Sequence, residues 1–102
     1  MFKNKTEDNK NNICGKRIAE LRLERKLSQR QLADAMELSN LSIDKNAIQR
    51  IECGKRFVTD IEIVYFSRYF DKPPTYLLGF DKEYTDYVTI AQKAAEKKND
   101  DY

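Results

Sequence analysis

The chain has 102 residues, 40% hydrophobic and 35% charged, which suits one soluble helical domain with tails and is too little for two cores. It contains no histidine and only two cysteines, Cys14 and Cys53, so the commonest general base is missing and neither a disulfide framework nor a structural zinc site is expected. A net charge of +2 does not by itself argue for nucleic acid, and without a phosphate-binding G-x-x-x-x-G-K-[ST] loop or a G-x-S-x-G elbow an enzyme is not expected either.

In chain order, residues 1–11 are rich in lysine, asparagine and aspartate and show no apolar period, which predicts a disordered polar arm. Lys3, Lys5 and Lys10 are diluted there by Glu7 and Asp8, so the arm reads as a solvated tail rather than a groove-seeking one. The first helix is expected from about Asn12 to Lys26. Cys14, Ile18 and Leu21 recur at i, i+4 and i+7 as its apolar face, with Lys16, Glu20, Glu24 and Arg25 toward solvent.

The stretch from Leu27 to Lys55 reads as two short helices, each with its own start signal. Ser28 and Gln31 form a capping box, and Leu27 with Leu32 a hydrophobic staple. Leu32, Ala33 and Met36 make the buried stripe of this second helix, which runs from Gln29 to about Glu37. Leu38, Leu41 and Ile43 are apolar enough to stay packed, but the sequence leaves open whether the helix continues or a separate turn forms. Asp44 can cap a third helix, Lys45–Cys53, with Ile43 and Ile48 as staple and Gly54 as its left-handed stop. Ile48 and Ile51 are its buried positions, and Lys45, Asn46, Gln49 and Arg50 face outward. Two capped helices in tandem suggest a helix-turn-helix.

The run IEIVYF further on has the composition of a strand, yet Thr59 with Glu62 makes another capping box and Ile63, Phe66 and Phe70 keep helical spacing. A fourth helix is therefore expected, stopped by Pro73, with a short fifth from Pro74 to Leu78 whose leucines close the core. In residues 80–102, Tyr84, Tyr87, Val88, Ala91, Ala94 and Ala95 follow a helical period, predicting an additional amphipathic helix. Whether it packs on its own domain or forms a dimer seam is open. Residues 12–79 carry twelve lysines and arginines against nine acids, and residues 80–102 four against six, so the positive excess lies with the tandem helices.

LSQRQLA, then AIQRIECGKR, then YLLG resemble the phage-repressor-like (Cro/cI-type) helix-turn-helix domains of bacterial transcription regulators. The resemblance spans about Ile13 to Gly79 and implies an all-α fold, a five-helix repressor-type helix-turn-helix bundle to which the C-terminal helix is added. Between Met36 and Ile48 this chain is about five residues longer than the tight turn usual in such motifs, and it lacks the turn glycine. The resemblance also implies an ion pair between Arg22 of the first helix and Glu52 of the third.

The expected function is sequence-specific binding of double-stranded DNA by a transcriptional regulator, as a repressor, with residues 45–53 in the major groove. Arg50 suits guanine O6 and N7, Asn46 or Gln49 adenine N6 and N7, and Lys45 a guanine or a phosphate. Gln29 and the first amides of the second helix, with Lys55 and Arg56, are expected on phosphates. One short helix reads few base pairs, so a homodimer on a palindromic operator is expected. No cofactor, metal, membrane partner or small-molecule effector is expected, and the location should be cytoplasmic. The alternative is a protein-interaction module of the same fold, such as an antitoxin or an inhibitor of another regulator. Single-stranded RNA is a third possibility, with Tyr65, Tyr69 and Tyr76 as stacking candidates that more plausibly pack along the helices.

Overall fold

Apolar stripes at helical spacing need a common partner, and here they find one another. The computed structural model describes residues 5–80, which form five α-helices and, among the described residues, no strand. They are α1 (Gly15–Glu24), α2 (Gln29–Leu38), α3 (Lys45–Glu52), α4 (Asp60–Phe70) and α5 (Pro74–Leu77). The further helix expected in the C-terminal segment lies outside the described residues. Ile18 of α1, Leu32 and Met36 of α2, Ile48 and Ile51 of α3, Phe66 of α4 and Leu77 of α5 are fully buried in one core. Burial of each such side chain stabilises by roughly 1.5–3 kcal/mol. No helix among the described residues is long and apolar enough to cross a membrane.

Starts are set by the capping signals. Ser28 and Gln31 exchange hydrogen bonds at the head of α2, as do Thr59 and Glu62 at the head of α4, and the Asp44 carboxylate accepts from the Ala47 N–H at 2.7 Å. The α4 box explains why IEIVYF is helical despite its strand-like composition. Ile63, Phe66 and Phe70 then lie on one buried face.

Ends follow one pattern that glycine marks only in part. After α1, α2, α3 and α4 the chain places a residue in the left-handed region: Lys26 (φ 58), Asn40 (φ 73), Gly54 (φ 77) and Asp71 (φ 53). Each time the following N–H reaches back to a carbonyl five residues earlier, as from Leu41 to Met36 at 2.9 Å and from Lys55 to Arg50 at 2.9 Å. Asn40 thus does at the end of α2 what a glycine does elsewhere, since its short polar side chain tolerates this backbone. The connection then extends through residues 41–44 and buries Leu41 and Ile43. Leu38 does not follow the packing expected of it. It is 88% exposed, because it falls on the turn of α2 opposite Leu32 and Met36.

The disordered polar arm also needs correcting over its described part. From Thr6 to Asn12 the chain makes a turn and seats itself against the C-terminal end of α3. The Lys10 ammonium donates to the Cys53 carbonyl at 3.1 Å, the Asn11 N–H to Gly54 at 2.7 Å and the Asn11 side chain to Lys55 at 3.0 Å. The Asn12 amide donates to Ile51 at 3.0 Å and to Arg56 at 2.8 Å, while its oxygen accepts from the Gly15 N–H at 2.9 Å. The strap thus supplies donors to the Ile51 carbonyl in the last turn of α3 and to four carbonyls of the turn that follows it, Cys53 to Arg56. Gly15 makes the close approach possible, as a Cβ there would lie 2.0 Å from the Ile51 carbonyl oxygen. The first helix therefore starts at Gly15, later than its composition suggests.

Candidate nucleic-acid interface

With Ile48 and Ile51 drawn into the core, the 100° step of the helix leaves Lys45, Asn46, Gln49 and Arg50 together on the opposite arc of α3. All four are exposed, and their side chains hydrogen-bond to nothing among the described residues. Lys55, just past the helix end, is likewise exposed and unpaired. At the head of α2 the capping box uses the N–H groups of Ser28 and Gln31, leaving those of Gln29 and Arg30 without an intrahelical partner. Arg30, which the sequence did not single out, borders the cleft between α2 and α3 with Asp34, Asp44, Lys45 and Asn46. Its signal was available: the second position of a capped helix, beside free amides.

Beneath this face, α3 is fixed by one carboxylate. Arg22 Nε donates to Glu52 Oε2 at 2.7 Å and Arg22 Nη2 to Glu52 Oε1 at 2.9 Å, with the two side chains only 12% and 7% exposed. The remaining Arg22 nitrogen donates to the Leu27 carbonyl at 2.7 Å. Hydrogen bonding to Glu52 raises the arginine's pKa against the opposing effect of burial. The structure so brings together the two residues expected to pair, and it adds a third. Gln29 Nε2 donates to Glu52 Oε1 at 3.0 Å. The Gln29 side chain expected on a phosphate is thus half-buried and committed by one of its N–H hydrogens to Glu52, because a buried carboxylate draws every donor in reach.

Arg56 is likewise engaged within the protein. Expected on phosphate, it instead forks onto Glu62, Nη1 to Oε1 at 2.9 Å and Nη2 to Oε2 at 2.8 Å, and donates to the Phe57 carbonyl at 2.9 Å. Glu62 is both the capping-box acid of α4 and the partner of Arg56. Burial works to raise its pKa, but the hydrogen bonds from Arg56 and Thr59 prevail and hold it below the ordinary value. Arg56 and Lys55 are neighbours in sequence with opposite fates.

The aromatic residues are engaged elsewhere. Tyr65, Tyr69 and Tyr76 pack against the core. Arg25 is exposed, as expected, yet its guanidinium lies 5.0 Å from the Tyr69 ring centre and donates to the Tyr69 carbonyl at 3.0 Å, so it also ties the end of α1 to α4. Arg17 covers the Tyr76 ring at 4.5 Å. Of the two cysteines, Cys14 is buried and Cys53 exposed at the end of α3. Burial pushes the Cys14 thiol up to about 11. Among the described residues no group of histidine, cysteine and acidic side chains is placed to hold a metal ion.

Two packed helices, the second presenting an unpaired polar face beside the free amides of the first, define a helix-turn-helix, the architecture of DNA-binding regulators. A family model described as a helix-turn-helix domain matches residues 15–79, from the first residue of α1 to the glycine after α5, and the chain belongs to that family. Neither the curated proteins nor the solved structures compared with it give a match.

Proposed function

We propose that this protein is a sequence-specific double-stranded-DNA-binding transcriptional regulator of the Cro/cI type, acting as a repressor and as a homodimer on a palindromic operator. One observation carries the reading. Lys45, Asn46, Gln49 and Arg50 are exposed and unpaired on a helix whose other face buries Ile48 and Ile51 completely. A side chain held by no protein partner loses no internal hydrogen bond when it turns to a base edge.

In this proposal α3 lies in the major groove. Arg50 forks onto guanine, Asn46 or Gln49 brackets adenine, and Lys45 reaches a guanine or a phosphate. The free amides of Gln29 and Arg30 take a backbone phosphate at the head of α2, and Lys55 takes another beyond α3. The Glu52 network holds α1, α2 and α3 at one angle, so phosphate contacts made by α2 set the register in which α3 reads. Arg56 has no part in binding.

Selection of bound sequences from a random duplex library tests the proposal. The expected result is a short palindromic consensus with half-sites about one helical turn apart. Recovery of no consensus, together with salt-insensitive binding to a protein partner, would favour the interaction module instead.

A further inference from the structure

The lysines of the N-terminal strap do not sit where a solvated tail would leave them. Lys5, Lys10 and Lys55 line one cleft at the C-terminal end of α3, with Asp8 as the acid in its wall. The Asp8 carboxylate accepts the Thr6 hydroxyl. Glu7, the other acid of the strap, lines a different cleft with Lys16 on the α1 side. Lys10 and Asp8 border that cleft as well, so of the two acids only Glu7 is kept out of the lysine cleft, where three lysines meet one acid.

The cleft continues toward the proposed reading face. A neighbouring depression is lined by Gln49, Arg50, Cys53 and Lys55, and the two share Cys53 and Lys55. A run of cations thus passes from Arg50 on α3 through Lys55 to Lys10 and Lys5. Gly54 makes room for it. Its φ of +77 turns the chain, and a Cβ there would lie 2.4 Å from the Lys10 side chain, which crosses the helix end at this point.

We infer that the strap cleft holds a backbone phosphate of the same duplex that α3 reads, with Lys5 and Lys10 as its ligands beside Lys55. The inference rests on the DNA-binding reading above and extends it to residues outside the helix-turn-helix. Its geometry follows from lengths. Eight residues of helix span about 12 Å, close to the width of the major groove, so a helix that meets base edges from Lys45 to Arg50 brings the residues just past its end, Cys53 to Lys55, toward the groove's rim. The rim is where phosphates lie. The strap, hydrogen-bonded to the carbonyls of Cys53, Gly54 and Lys55, moves with that end of the helix and carries its lysines there. The ligand is a phosphodiester, recognised by charge, and base identity plays no part.

The test is titration of the full chain with a duplex chosen by the library selection, and with a scrambled duplex, over a series of potassium chloride concentrations. Lys5 makes no hydrogen bond or ion pair among the described residues, so Lys5→Ala leaves the fold intact and decides the matter. The expected result is a slope of log affinity against log salt lower by about 0.9 for Lys5→Ala, with both duplexes weakened alike. Lys10→Gln, which retains a donor for the Cys53 carbonyl, should lower the slope by a similar amount. If the wild-type chain binds the selected duplex and both variants keep its slope, the inference fails while the DNA reading stands. A changed sequence preference at an unchanged slope would also overturn it. Failure of the wild-type chain to bind either duplex would instead bring down the DNA reading, and this inference with it.

Discussion

Two arginine–glutamate pairs stand at the C-terminal end of α3, alike in chemistry and unlike in what they join. Arg22 and Glu52 stand 30 positions apart in sequence, meet with side chains 12% and 7% exposed, and draw in Gln29 and the Leu27 carbonyl. Arg56 and Glu62 stand 6 positions apart, with the arginine 30% exposed and the acid already needed to cap α4. The first pair sets how three helices meet, while the second closes a loop. The two pairs separate cations held by a buried carboxylate from cations held by none, and only the second kind is expected to contribute to the proposed DNA binding. Arg22 and Arg56 are held; Lys45, Arg50 and Lys55 are not.

If that contrast is real, Glu52→Ala is the most damaging single change. It strands a buried guanidinium and should lower stability by roughly 3–5 kcal/mol in denaturant titration. A double-mutant cycle with Arg22→Ala should return most of that as coupling. Coupling near zero would mean that the pair does not hold the helices.

The next effect lies under α1. The Cys14 thiol ordinarily titrates at 9.0 and is pushed up to about 11 by burial. Between those values the unfolded chain loses its proton and the folded chain keeps it, so stability falls as pH rises through the window, by about 2–3 kcal/mol in full. Comparison with Cys14→Ala isolates this contribution. The variant starts less stable but should decline less over the same range, and parallel curves would contradict the burial assigned to the thiol.

Glu62→Ala sharpens the contrast directly. Because Arg56 can turn to water, the loss should be about 1–3 kcal/mol, which includes the α4 cap. A loss as large as that of Glu52→Ala would erase the distinction between the pairs. Since the Glu62 pKa is depressed in the fold, its contribution is present above the ordinary carboxylate value and disappears as pH falls through the folded one. Glu62→Gln should flatten the acid limb of the stability curve accordingly.

The smallest effects are read on DNA. Arg50→Ala should cost about 1–3 kcal/mol on the selected site and relax preference at one position. Lys55→Ala should weaken all sequences alike and flatten the salt dependence by about one, whereas Arg56→Ala should leave the salt slope unchanged. Equal slopes for the Lys55 and Arg56 variants would show that the ion pair does not keep Arg56 from the phosphates.

What could be read from the chain before its fold was known follows a rule of distance. The capping boxes at Ser28 and Thr59, the Asp44 cap and the Gly54 stop are interactions among residues at most five positions apart, so the string of residues contains both partners. The buried stripes follow from the fixed 3.6-residue period, which is why Ile48 and Ile51 could be assigned inward and Lys45, Asn46, Gln49 and Arg50 outward. The left-handed ends at Lys26, Asn40 and Asp71 were not legible, since no residue but glycine announces that backbone strongly.

By itself, then, the sequence determined four helix starts or stops, the inner and outer faces of α3, and the tandem pair that makes a helix-turn-helix. Tertiary structure alone decided that residues 6–12 brace the end of α3, that Gln29 turns inward to Glu52, and that Arg56 is withdrawn while Lys55 is left free. The physical reason is common to all three. A hydrogen bond or ion pair across 23 to 44 positions, or one that depends on which carboxylate a loop brings near, is chosen by the packing of the helices, and no local period or cap encodes it.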